Sequence, residues 1–148
     1  MSCLIHQPRI SRFRVSLVTG LSLLLAHASA VSPVLADWSP GSESPFWGEL
    51  RRRELPGDSW TFVEATRTDR FEAAEYLRNP TAVAETVEME AGLLIKRSGQ
   101  SAWSSRVLPM RANCMEGRME QKDAAGLWTP YPGRAGTAVK VRWICSLP

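Results

Sequence analysis

Histidine is scarce in this chain, and its placement excludes more than its count does. Two occur in 148 residues, His6 and His27, and none follows residue 27. Downstream of that point, Ser-His-acid and Cys-His nucleophiles and histidine metal sites are excluded. Acidic residues are missing from the N-terminal quarter, where Arg9, Arg12 and Arg14 are the only charged side chains before Asp37. The formal net charge of +3, from 18 Lys+Arg against 15 Asp+Glu, therefore belongs to the first 14 residues. From Asp37 onward 15 basic and 15 acidic groups cancel, so a generic polyanion such as nucleic acid is not an expected partner. The chain also lacks a G-x-S-x-G elbow, a phosphate loop, a glycine-rich dinucleotide fingerprint, a calcium loop, internal repeats and coiled-coil heptads.

The N-terminal segment has the order of a secretory signal. Three arginines without an acid precede an uncharged stretch, Val15 to Ala28, centred on Leu21, Leu23, Leu24 and Leu25. Ala28-Ser29-Ala30 is an A-x-A cleavage site, and Val34-Leu35-Ala36 is a second one, so residues 1–30 are read as a signal peptide with cleavage as late as 36. The alternative is an uncleaved anchor, because Val15 to Ala36 runs 22 residues without a charge. Either way the arginines stay on the cytoplasmic side and the remainder is exported, to the periplasm or beyond the cell. A membrane enters only through that uncleaved segment.

Cysteine is rare, with three residues in all. Cys3 leaves with the signal, and Cys114 and Cys145 remain as an even count in an oxidising compartment, where they are expected to pair. Two buried free thiols are the alternative. With no histidine nearby, two cysteines do not make a zinc site.

Residues 37–59 hold three prolines, three glycines and four serines, and read as a flexible tether. Trp38, Phe46 and Trp47 are its odd feature. They either fold back onto the domain or serve as a contact surface, which makes Trp38 and Trp47 candidate binding residues. Residues 60–148 are expected to form one small disulfide-bonded domain. Trp60, Phe62 and Val63 open a strand. Thr68 or Asp69 then offers a helix cap, with Phe71, Ala74 and Leu77 on one helical face and Asn79-Pro80 as its stop. Residues 81–97 fit a helix by the recurrence of Val83, Val87 and Ala91, and a strand by the alternation of Val87, Met89 and Ala91 with Glu88 and Glu90. A strand from about Thr86 to Arg97 is favoured, and two more are expected around Pro109, from Trp103 to Val107 and from Met110 to Gln121 with a bulge at Gly117. Val139, Val141, Trp143 and Cys145 alternate with Lys140, Arg142 and Ile144, which predicts a final strand. The sum is a β-rich α+β fold, a mostly antiparallel sheet of about five strands with one or two short helices and one disulfide.

Candidate chemistry is thin. Glu72 with Glu75 on a helix, or Glu88 with Glu90 on a strand, could run carboxylate hydrolysis, but spacing alone is a weak pointer. Met110, Met115 and Met119 are soft ligands or core fillers. No catalytic residue, cofactor or metal is assigned. The six tryptophans all lie beyond residue 37, and one or two exposed rings would suit a protein or surface ligand.

The C-terminal third, with Cys114-Met115-Glu116-Gly117-Arg118, Trp128-Thr129-Pro130-Tyr131-Pro132-Gly133 and Trp143-Ile144-Cys145, resembles the small secreted bacterial proteins of the surface-adhesin protein E type. The resemblance implies a compact antiparallel β-domain closed by a Cys114-Cys145 disulfide, and an outward-facing adhesin that binds host proteins. It carries over no ligand-contact residue. The reading reached from sequence is an exported, non-enzymatic module that binds a protein or surface ligand. A small carboxylate-dependent hydrolase and an assembly factor of an extracytoplasmic complex are the alternatives.

Overall fold

Apolar and β-branched residues dominate the middle of the chain, and there the backbone is extended almost without interruption. A computed structural model describes residues 38–148, so the signal peptide reading lies outside the described residues. The elements run α1 (Pro45–Glu54), β1 (Thr61–Arg67), β2 (Phe71–Val83), β3 (Thr86–Arg97), β4 (Ser104–Asn113), β5 (Arg118–Lys122), β6 (Trp128–Pro130) and α2 (Thr137–Ile144). The strands form one sheet in the order β1-β2-β3-β4-β5-β6, each antiparallel to the next. It is a β-rich α+β fold with two short helices and the Cys114–Cys145 disulfide.

The sheet is buried on both faces. Leu50 and Leu55 from α1 and the connector after it pack with Trp60 on Ala74, Tyr76 and Leu94. On the opposite face Val141 and Ile144 of α2 pack on Val63, Leu77, Val87, Met89, Met110 and Ala112. Strands β1 to β4 therefore send alternate side chains into two separate cores. Gly92 marks the closest approach of the first: a Cβ there would stand 2.9 Å from Leu55 Cδ1 and 3.0 Å from Trp60 Cζ3.

Four local expectations are corrected. The stretch read as a tether contains α1, because Ser44 accepts the Trp47 N–H at 3.4 Å as N-cap and Pro45 supplies the first helical position. Its arginines lie in the last turn, where the helix dipole favours cations. The helix expected at Phe71 to Leu77 is the first half of β2. Thr68 caps no helix; its hydroxyl accepts the N–H groups of Arg70 and Phe71 at 3.2 and 3.1 Å and closes the β1–β2 turn. Asn79, at φ 53, and Pro80 do not end an element; they form a bulge where the β2–β3 register shifts between Arg78 and Thr81. The strand expected from Met110 to Gln121 is split by a turn at 114–117, with Gly117 at φ 64 as a turn residue, not a bulge.

The last element is the fourth correction: it is a helix. The alternation from Val139 to Cys145 gives way to the spacing Val141, Ile144, Cys145, which places two buried side chains and the disulfide on one face. The strand favoured from about Thr86 to Arg97 is β3, and the two strands expected on either side of Pro109 join there into β4. Pro109 is tolerated within β4 because β5 pairs only with Met110 to Asn113, so nothing is asked of its missing N–H on that side.

Candidate functional site

The helix α2 crosses the sheet without covering all of it, and this leaves a groove. Its floor is the face of β2, β3 and β4 that carries Leu77, Met89, Ala91, Leu93, Leu108 and Met110, and its wall is Tyr131, Thr137, Lys140 and Ile144. The cavity is about 110 Å³. Small-molecule sites usually enclose roughly 300–1,000 Å³. This one is sized for a single apolar side chain or a similar group, near the roughly 150 Å³ engineered cavity that holds one benzene.

The mouth of the groove is charged and internally neutral. Lys140 reaches from α2 to the carboxylates of Glu64 on β1 and Glu75 on β2, the latter at 3.4 Å. Arg134, in the loop before α2, also donates to Glu75. Glu64 reaches this face through a bulge in β1 that sets Val63 and Glu64 against the single residue Glu75. All four side chains keep partial exposure, so the network orients α2 more than it stabilises the fold.

The structure separates the sequence-predicted site residues. Trp38 lies on the α2 face, its ring edge-on to Trp143 with centroids 5.1 Å apart and Lys140 Nζ 6.0 Å from its own centroid. Trp47 lies across the sheet, where it meets Phe46 at 5.1 Å and Trp103 at 5.3 Å, and its carbonyl accepts the Tyr76 hydroxyl at 3.2 Å. Both tryptophans fold back onto the domain. Phe46 is the more open ring of its cluster, 51 % exposed.

The carboxylate pairs fare differently. Glu72 and Glu75 project from opposite faces because β2 is a strand; Glu72 pairs with Arg67 at 2.9 Å, away from the groove. Glu88 and Glu90 do share a face of β3, but Glu90 accepts from Arg78 at 2.7 Å and Asn79 at 3.2 Å. Met110 is buried, Met119 half-buried and Met115 is 74 % exposed in the β4–β5 turn, so the three do not converge.

Sequence reasoning missed two groups. Glu120 is a buried acid, 4 % exposed, held by Arg111 and Arg118. The Arg111 hydrogen bond, aided by Arg118, holds its carboxyl below the ordinary range against the cost of burial. Arg111 also lies over the Trp128 ring, 4.7 Å from the centroid. Tyr76, 1 % exposed, has its phenol pushed well above the ordinary value, chiefly by burial and then by Glu43. Their interior location is invisible in sequence, because strand alternation put Glu120 on a nominally polar face. Compared with known proteins, the chain matches no family model, no curated protein and no solved structure.

Proposed function

We propose that this protein is an exported, non-enzymatic module that binds a protein or surface ligand through the groove beneath α2. The observation that carries the reading is a side-chain-sized apolar recess whose charged neighbours, Glu64, Glu75, Lys140 and Arg134, are spent on one another. A recess of that kind suits an anchor from a larger partner, since buried anchors in pockets dominate interface energetics. The carboxylate-hydrolase alternative draws no comparable support: Glu72 and Glu90 are each held by arginine away from the recess. The Cys114–Cys145 disulfide supports an oxidising compartment.

Two measurements test the reading. Mass spectrometry of the protein from its own cells should find a mature N-terminus at Val31 or Asp37 and no free thiol at Cys114 or Cys145. A photo-reactive residue at Leu108 should crosslink to one defined partner, and the adduct should vanish when the recess is filled by Ala91→Phe. Turnover of a glycan or ester substrate, abolished by Glu72→Gln or Glu88→Gln, would overturn it.

A further inference from the structure

The groove does not stop at the end of α2. Along the same face β3 continues as Leu93, Ile95 and Arg97, with Phe71 opposite Arg97 on β2 and Arg106 opposite Leu93 on β4. Phe71, Leu93, Ile95 and Leu108 are all only half-buried there. The apolar recess thus opens onto an apolar strip rimmed by two guanidinium groups.

Charge on this face is unbalanced, although residues 37–148 are neutral as a whole. The strands β1 to β5 present Glu64, Glu75, Arg97 and Arg106 on it, α2 with the preceding loop adds Lys140 and Arg134, and Asp69 in the β1–β2 turn lies near Phe71 and Arg97 without an ion pair to either arginine. The two acids are satisfied by Lys140 and Arg134. Among the described residues no carboxylate pairs with Arg97 or Arg106. What remains is an excess of positive charge beside exposed apolar surface.

We infer that the occupant is an extended segment of a partner protein in which a large apolar anchor is followed by acidic residues two and six positions along the chain. The inference rests on the binding reading above and specifies its partner. The anchor fills the recess, whose volume of about 110 Å³ fits one side chain and is too small for a whole acyl chain or cofactor. Spacing follows from the sheet. With the anchor over Ala91 on the recess floor, Arg106, level with Leu93, stands two strand positions along, about 7 Å, and meets the first acid. Arg97 lies six positions beyond Ala91, about 20 Å, which matches the second acid. Charge complementarity of this sort sets register and partner choice.

The probe is a fluorescein-labelled peptide, acetyl-Gly-Phe-Ser-Asp-Ser-Ser-Ser-Asp-Gly-amide, read by anisotropy with the disulfide-intact protein at low ionic strength. The expected result is saturable binding below millimolar concentration. Replacing the phenylalanine by serine should weaken it at least tenfold, and replacing both aspartates by asparagine roughly fivefold or less. Arg106→Glu should weaken the parent peptide and recover binding of a version with lysine in place of the first aspartate. That charge swap separates recognition from misfolding, since the same variant is gained by one peptide and lost by the other. No binding at 1 mM, indifference to Arg106→Glu, or displacement by dodecanoate at lower concentration than by unlabelled peptide would each overturn the inference. A defined Leu108 crosslink that competing peptide leaves intact would refute this partner chemistry alone and spare the binding reading.

Discussion

Replacing Cys114 and Cys145 together by serine removes the one covalent tie between α2 and the β4–β5 turn. The two cysteines are 31 positions apart in sequence. For a closed loop of that length the chain-entropy relation gives about 3.7 kcal/mol of stabilisation at 25 °C. Serine adds little cost of its own, because Cys114 is exposed and Cys145 only half-buried. With an unfolding entropy of about 2.1 cal/mol/K per residue over roughly 110 residues, the loss corresponds to a fall in Tm of about 16 °C. In urea, at a slope of about 1.5 kcal/mol/M, the midpoint should drop by about 2.5 M.

The loss should also have a location. The helix α2 is 8 residues long, and only Val141 and Ile144 of it are buried. A helix that short does not persist in water on its own propensity. Hydrogen exchange should therefore show the α2 amides losing protection first in the double variant, while β2 and β3 hold theirs until global unfolding. The same order should follow reduction of the parent. A urea midpoint within about 0.5 M of the parent, or α2 amides exchanging no faster than before, would refute the reasoning.

Three further outcomes follow from the packing. Gly92→Ala should cost about 1–3 kcal/mol in urea unfolding and shift the Trp60 fluorescence, since the added methyl meets Leu55 and Trp60 at 2.9 and 3.0 Å. Glu120 is held below its ordinary pKa, so its contribution is complete above the unfolded carboxylate value and is lost as pH falls through the folded one. Urea midpoints measured from pH 6 down to pH 2 should fall more steeply for the parent than for Glu120→Gln. Tyr76 is raised instead, so its contribution is complete below about pH 10, the unfolded tyrosine value, and declines as pH rises beyond it. Tyr76→Phe should flatten that alkaline decline in a circular dichroism titration, while costing about 1 kcal/mol at neutral pH from the lost bond to the Trp47 carbonyl.

In β3 two periods compete, Val83, Val87 and Ala91 at helical spacing against the alternation of Val87, Met89 and Ala91 with Glu88 and Glu90. The Leu93-Leu94-Ile95 run before Lys96-Arg97-Ser98-Gly99 tips the reading to a strand from about Thr86 to Arg97. β2 sits between both helices, so Ala73, Ala74, Tyr76 and Leu77 are all buried and the period-two signal disappears. What remained, Phe71, Ala74 and Leu77, imitated a helix. In α2 the error reversed. Over 8 residues the helical and strand periods overlap, and alternating valines with charged neighbours imitated a strand. The Ser44-Pro45 start of α1 was readable in principle but was outweighed by the glycine and proline around it. The groove was not readable, because its mouth is assembled by partners 59, 65 and 76 positions apart in the chain.

Net neutrality of residues 37–148 is a sum over surfaces that a ligand never meets together. The sheet sorts the charges: Glu120 with Arg111 and Arg118, and Glu90 with Arg78, lie on the α1 face, while Arg97 and Arg106 face the α2 side, where Glu64 and Glu75 are taken up by Lys140 and Arg134. Exclusion of polyanions by total charge therefore bears on long, non-specific contacts, whose strength follows the number of phosphates engaged. It does not bear on a short acidic segment meeting two guanidinium groups. The aromatic residues obey the same partition. Trp38 and Trp47 are on opposite faces of the sheet, so one compact ligand cannot use both, and a site on the α2 face requires that Trp47→Ala leave binding unchanged.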